Sequence, residues 1–179
     1  MKHALSIAVA AALVVASSAL AGTSSRQATL TPQLVRTKAA LARFRSVAAA
    51  KEAGYVATGP CEMSPTSKGQ SSFGGVMGVH FVNGALMKAG TLDPQRPPVL
   101  VYLPTAGGGF QLVAAEYFRP DRDQSTKTDG DRPTLFGRAF DGPMLGHFPG
   151  MPIHYDLHVW LWKHNPSGLF APFNPEAHC

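Results

Sequence analysis

Two ionisable residues stand out by the company they keep. His80 lies in the apolar run Val79-His80-Phe81-Val82, and Glu116 in Ala114-Ala115-Glu116-Tyr117-Phe118. A carboxylate in so apolar a stretch must face water or have a partner, because an unpaired buried charge is costly. The segment Ile153 to Trp162 (IHYDLHVWLW) offers partners. Read as a strand, it sets His154, Asp156, His158, Trp160 and Trp162 on one face and Tyr155, Leu157, Val159 and Leu161 on the other. The second set is a core face. The first places two imidazoles and a carboxylate beside two indoles. His80, Glu116 and His158, joined by His154, are therefore candidate ligands for a divalent metal such as Zn, Cu, Mn or Fe, with a position left open for water or substrate. His154, Asp156 and Trp160 are the candidate ligand-pocket residues. Two further readings of the same residues stay open. One is a polar ligand pocket without metal. The other is a purely structural role: either Glu116 and His80 or His158 form a hydrogen-bonded pair in a polar cavity with no metal, or His154 and Asp156 face solvent on the outer side of the sheet.

Other chemistries find less support. The serines Ser64, Ser67, Ser71 and Ser72 fall in a loop, and no G-x-S-x-G elbow is present. The glycines of Thr105 to Gly109 (TAGGG) are not a phosphate loop: no Lys-Ser/Thr follows, and the next segment reads as a strand where a helix is required. The methionines are spread along the chain and suit packing. The two cysteines, Cys61 and Cys179, are not in a C-x-x-C arrangement, so a disulfide is expected in preference to a metal or redox pair.

The elements that must position these groups follow from periodicity. Thr31-Pro32 reads as a helix start, and Leu34, Leu41, Phe44 and Val47 recur at helical spacing, predicting one amphipathic helix of about five to six turns that Gly54 ends. Residues 57–75 read as loop. Strands are expected over Met77 to Val82, Val99 to Leu103, Phe110 to Phe118 and Ile153 to Trp162, with Asn83-Gly84 as a turn. The second and third of these, joined by TAGGG, form the clearest hairpin. Residues 119–133 read as a charged loop, and 134–152 as packed but irregular. The expected fold class is α+β: an N-terminal amphipathic helix packed on a curved antiparallel sheet or a partly open β-barrel.

The N-terminus indicates export. Lys2 and His3 precede the apolar run Ala4 to Val15, and Ala19-Leu20-Ala21 forms an A-x-A cleavage site. The run is shorter than the ~20 residues needed to span a bilayer, and no later stretch is longer. Residues 1–21 are thus expected to be a signal peptide, 22–30 a flexible leader and 31–179 a single globular domain, secreted or periplasmic, with no stable membrane span after cleavage. The chain has 16 Lys+Arg against 11 Asp+Glu, a mild excess whose basic residues are scattered. Nucleic-acid binding wants a basic stripe or a known motif, and neither occurs.

The pattern GVMGVHFVN (75–83), LDPQRPPVLVYLP (92–104), LVAAEYF (112–118), LFG (135–137) and YDLHVWLWKHNPSGLFAPFNP (155–175), closed by a terminal Cys, resembles a group of small secreted bacterial proteins of unknown function. The resemblance spans roughly residues 40–179. It implies export and this strand order, and carries no activity. The metal set also departs from the H-x-H pair and Glu of a cupin, since Glu116 lies well before His154 and His158, which are spaced H-x-x-x-H. The expected function is therefore a ligand- or metal-binding protein with a His/Glu pocket in a sheet. The alternative is a secreted metal-dependent enzyme with His80, Glu116 and His158 as ligands and His154 or Asp156 as acid or base.

Overall fold

In the computed structural model, residues 29–64 and 74–179 are described. The expected signal peptide, nearly all of the leader and residues 65–73 of the expected loop lie outside them.

The predicted long helix is divided. Thr31 caps α1 (Pro32–Leu41), its hydroxyl accepting from the Leu34 N–H. A 3₁₀ turn, Ala42–Arg45, follows, and Ser46 then turns extended and caps α2 (Val47–Glu52). Ser46 is a strong N-cap residue, so it restarts a helix that periodicity alone would run straight through. Leu34, Leu41, Phe44 and Ala50 lie in one buried cluster with Phe81, Leu100, Tyr102, Leu112 and Leu157. The Tyr102 hydroxyl donates to the Phe44 carbonyl at 2.6 Å.

The strands are β1 (Tyr55–Ala57), β2 (Glu62–Met63), β3 (Val76–Asn83), β4 (Val99–Pro104), β5 (Phe110–Pro120), β6 (Thr134–Leu135), β7 (Arg138–Ala139), β8 (Asp141–Met144) and β9 (His154–Val159). The main sheet runs β1-β3-β4-β5-β9-β8 and is antiparallel throughout, with β2 pairing the other end of the same β3 edge. It does not close into a barrel. β6 and β7 form a separate small hairpin within the segment expected to be irregular.

Asn83-Gly84 is a helix start and not a hairpin turn. The Asn83 side chain accepts from the Leu86 N–H at 3.1 Å and caps the short helix α3 (Gly84–Ala89). The expected β4–β5 hairpin is present, closed by Thr105 and Gly109, and β5 runs two residues further than its apolar stretch. Cys61 and Cys179 are bridged, which fastens the C-terminal tail beside β2. The tail is held a second time by paired backbone hydrogen bonds between Asn174 and Val76.

The sheet is buried on both faces. One carries the cluster around Tyr102, Tyr117, Tyr155 and Leu157. The other carries Val76, Val99, Val101, Leu103, Ala114 and Trp160, with Ala177 of the tail laid over it. No described helix is long and apolar enough to cross a membrane.

Candidate functional site

Alternation in β5 and β9 decides which face receives the polar groups. In β9, Tyr155, Leu157 and Val159 join the first cluster, so His154, Asp156 and His158 must point to the other side. In β5, Tyr117 joins the first cluster and Glu116 lies opposite His158 in the ladder. His80 pairs with Val101 on β4, and Val99, two residues earlier, pairs with Glu116. His80 and Glu116 thus lie on one face, on the two strands that flank β4 and two residues out of direct register. Their side chains reach toward each other over β4.

The outcome is a closely linked set of imidazoles and carboxylates. His80 Nε2 lies 3.1 Å from Glu116 Oε2, and His158 Nε2 lies 3.5 Å from the same oxygen. His158 Nδ1 is 3.8 Å from Asp156 Oδ1, while Asp156 Oδ2 is 3.8 Å from His154 Nε2. On the outer side, Glu62 Oε2 is 3.5 Å from His80 Nδ1 and Glu62 Oε1 is 3.6 Å from His147 Nδ1. The rings of His147 and His154 meet edge to face at 5.2 Å. These contacts are close but poorly aligned. Glu116 Oε2, Asp156 Oδ1, His154 Nε2 and both nitrogens of His158 are buried with no hydrogen-bond partner among the described residues.

The sequence-derived metal set is brought together. His80, Glu116 and His158 each offer one ligand atom, all within 4.8 Å of one another. His154 does not join that set. It groups with His147 and Asp156 in a second one of the same compactness. Trp160, expected beside the pocket, is instead a core residue, 3 % exposed in the valine cluster, with its indole N–H donating to the Ala171 carbonyl at 2.7 Å. The strand ends at Val159 because the Trp160 N–H turns to the Leu169 carbonyl. Trp160 and Trp162 then separate, Trp162 packing toward the first cluster.

Two site residues, Glu62 and His147, escape a sequence reading. Glu62 sits in the Ser/Gly-rich stretch and His147 in the Gly/Pro-rich one, where no periodicity assigns a direction. The one clue is that Glu62 follows Cys61, whose bond to the terminus fixes it in space.

A cleft of about 790 Å³ opens onto this set. His80, Glu116, Glu62 and His147 are among its polar lining, with Thr58 and Lys88, and Val82, Met87, Val99, Phe118, Phe148 and Met151 form its apolar walls. No protein-family model, curated protein or solved structure matches the chain.

Electrostatics fix the charge states. Burial pushes His158 down to about 4, outweighing the attraction of Glu116, so it is neutral near pH 7. Burial would raise Glu116, but the facing imidazoles of His158 and His80 lower it; with His158 neutral, His80 at 3.1 Å is the group that holds it ionised. Burial lowers His80, yet Glu116, Glu62 and Asp156 together raise it. Asp156 is pushed up to about 8 by burial and by the nearby Glu116 and Asp141 carboxylates. Burial lowers His154.

These shifts give a signed pH dependence. The raised groups, Asp156 and His80, stabilise the fold while protonated, and that contribution is lost as pH climbs through their folded values. The depressed imidazoles, His154 and His158, act oppositely, but only below their ordinary 6.5. The metal-free protein is therefore expected to lose on the order of 1–2 kcal/mol between pH 6.5 and pH 8. Urea unfolding in EDTA at the two pH values measures it, and Asp156→Asn should flatten the slope. Stability that rises over this interval would contradict the assignment.

Proposed function

We propose that this chain is an exported metal-binding protein that holds a divalent transition-metal ion with His80, Glu116 and His158. The observation that carries the proposal is the cluster of buried ligand atoms without a hydrogen-bond partner among the described residues: both His158 nitrogens, and Glu116 Oε2, which is paired with His80 Nε2 by charge but poorly aligned with it. Buried polar groups are nearly always hydrogen-bonded, and each exception asks for an explanation. A single cation satisfies Glu116 Oε2, His80 Nε2 and one nitrogen of His158 together, and leaves the other His158 nitrogen as an N–H. The donor set fits: His158 is neutral and Glu116 ionised, the forms that bind metal, and His80 gives up its proton as the ion enters. Two imidazoles and one carboxylate suit Zn²⁺, Fe²⁺, Mn²⁺ or Cu²⁺. Once bound, such an ion supplies Lewis acidity at positions open to the cleft. Export is supported by the N-terminal segment and by a disulfide that suits an oxidising compartment.

Binding is favoured over turnover by where the acid–base candidates lie. His154 and Asp156 are fully buried, and neither belongs to the cleft wall. Both face other side chains of the cluster, so neither is placed to meet a substrate in the cleft. The cleft's apolar walls admit a small apolar-bodied molecule whose polar group reaches the ion.

Elemental analysis tests the proposal on protein purified from its export compartment without chelators. Retained transition metal is expected, and the His80→Ala variant should lose it while keeping its near-UV circular dichroism. Wild-type protein that is folded, metal-free and unable to take up added Zn²⁺, Cu²⁺ or Mn²⁺ would assign the cluster to a hydrogen-bonded polar network.

A further inference from the structure

We infer that a second cation site, formed by His147, His154 and Asp156, lies in the same cluster as the first. Three observations carry it, and none depends on the first site being filled.

The first is the state of His154. Its side chain is 0 % exposed, and its Nδ1 lies 3.1 Å from the Pro152 carbonyl oxygen. A carbonyl only accepts, so Nδ1 carries the proton. Nε2 is then a bare lone pair, buried, with no hydrogen-bond partner among the described residues. Its nearest acidic group, Asp156 Oδ2, is at 3.8 Å, beyond hydrogen-bonding reach. An imidazole that gives its other N–H to a backbone carbonyl and aims a free lone pair inward is arranged as metal ligands are.

The second observation is convergence. His147, His154 and Asp156 each bring a ligand atom within 4.8 Å of the others. They come from different places: His147 from the loop between β8 and β9, the other two from β9 itself. Two nitrogens and a carboxylate oxygen repeat the donor chemistry of the first set. His147 is 35 % exposed and lines the cleft, which gives a cation its way in.

The third is the support. Glu62 faces Nδ1 of both His80 and His147, one oxygen to each, so a single carboxylate backs a ligand of each site. Asp156 likewise presents one oxygen toward His158 and the other toward His154. The two sites share both an outer and an inner carboxylate. A pair of soft-to-borderline divalent ions, Zn²⁺ or Cu²⁺, is the occupant this nitrogen-rich set selects.

Calorimetric titration of the metal-stripped full chain with Zn²⁺ decides the matter. Two equivalents are expected in the wild type. His147→Ala, a change at an exposed loop residue that leaves the core alone, should remove one equivalent or weaken it by more than about 100-fold, above the range of an outer partner. Glu116→Gln should remove the other. His154→Asn serves as a second variant, with near-UV circular dichroism reporting that it folds. One equivalent that Glu116→Gln removes and His147→Ala leaves intact would overturn the second site and keep the first. One equivalent with the opposite pattern would keep the second and overturn the first. No uptake would overturn both.

Discussion

Replacing Cys61 and Cys179 with serine is expected to lower the unfolding free energy by about 4–5 kcal/mol. The bridge joins residues 118 apart in sequence, so its loss frees a long loop in the unfolded chain. The chain-entropy relation gives about 4.7 kcal/mol for a loop near 100 residues. Small domains have only about 5–15 kcal/mol in hand, so the variant should be marginal at 37 °C. Urea unfolding of oxidised wild type and the double-serine variant, both metal-stripped, measures the difference. A loss below about 1 kcal/mol would mean that the Asn174–Val76 backbone pair and the buried Ala177 hold the tail unaided. A functional effect should accompany the structural one. Glu62 is the residue after Cys61 and lies on a strand of two residues, so little else holds it against His80 and His147. The serine variant should bind Zn²⁺ about 10–100-fold more weakly, the usual effect of losing a carboxylate behind a ligating histidine.

The parts of this molecule that were legible in sequence are those where local periodicity suffices. The alternation of Tyr155, Leu157 and Val159 with His154, Asp156 and His158 fixes a two-sided strand without knowledge of its neighbours. The β4–β5 hairpin follows equally from two apolar runs and a glycine-rich turn. The α+β class with an antiparallel sheet follows from these. Glu116 stands out because a charge in an apolar strand needs a partner. Its meeting with His80 depends on the β3–β4–β5 register, which places His80 across from Val101 and Glu116 across from Val99. That relation spans two ladders and leaves no trace in spacing. Capping defeated two local readings: Ser46 restarts a helix, and Asn83 begins one where Asn-Gly signals a turn. The division of the histidines into two sets was out of reach for a similar reason. His147 is placed by a loop, and only the fold brings its ring to 5.2 Å from His154.

The second large effect concerns metal-linked stability. In a His147→Ala background, where the His80–Glu116–His158 set reports alone, Zn²⁺ at about 1,000 times its Kd should stabilise the fold by about 4.1 kcal/mol. For a chain of this size that amounts to a rise in Tm of roughly 8–16 °C. Adding Glu116→Gln should abolish most of it. Glutamine matches glutamate in volume, so the packing around Val99 and His158 is kept. What changes is charge: the carboxylate, held ionised at neutral pH, is exchanged for a neutral amide. A weakening beyond about 100-fold corresponds to about 2.8 kcal/mol, which consumes the larger part of the Zn²⁺ effect. The metal-free variant reports a separate quantity. It loses the Glu116–His80 ion pair, and His80, no longer facing that charge, should titrate nearer its ordinary 6.5. The NMR titration of the His80 ring measures this without any metal present. A downward shift of His80 together with a lost Zn²⁺ effect places Glu116 at the centre of the site. A Zn²⁺ effect that survives Glu116→Gln intact would move the ion elsewhere, the exposed His164–Glu176 pair being the first place to look.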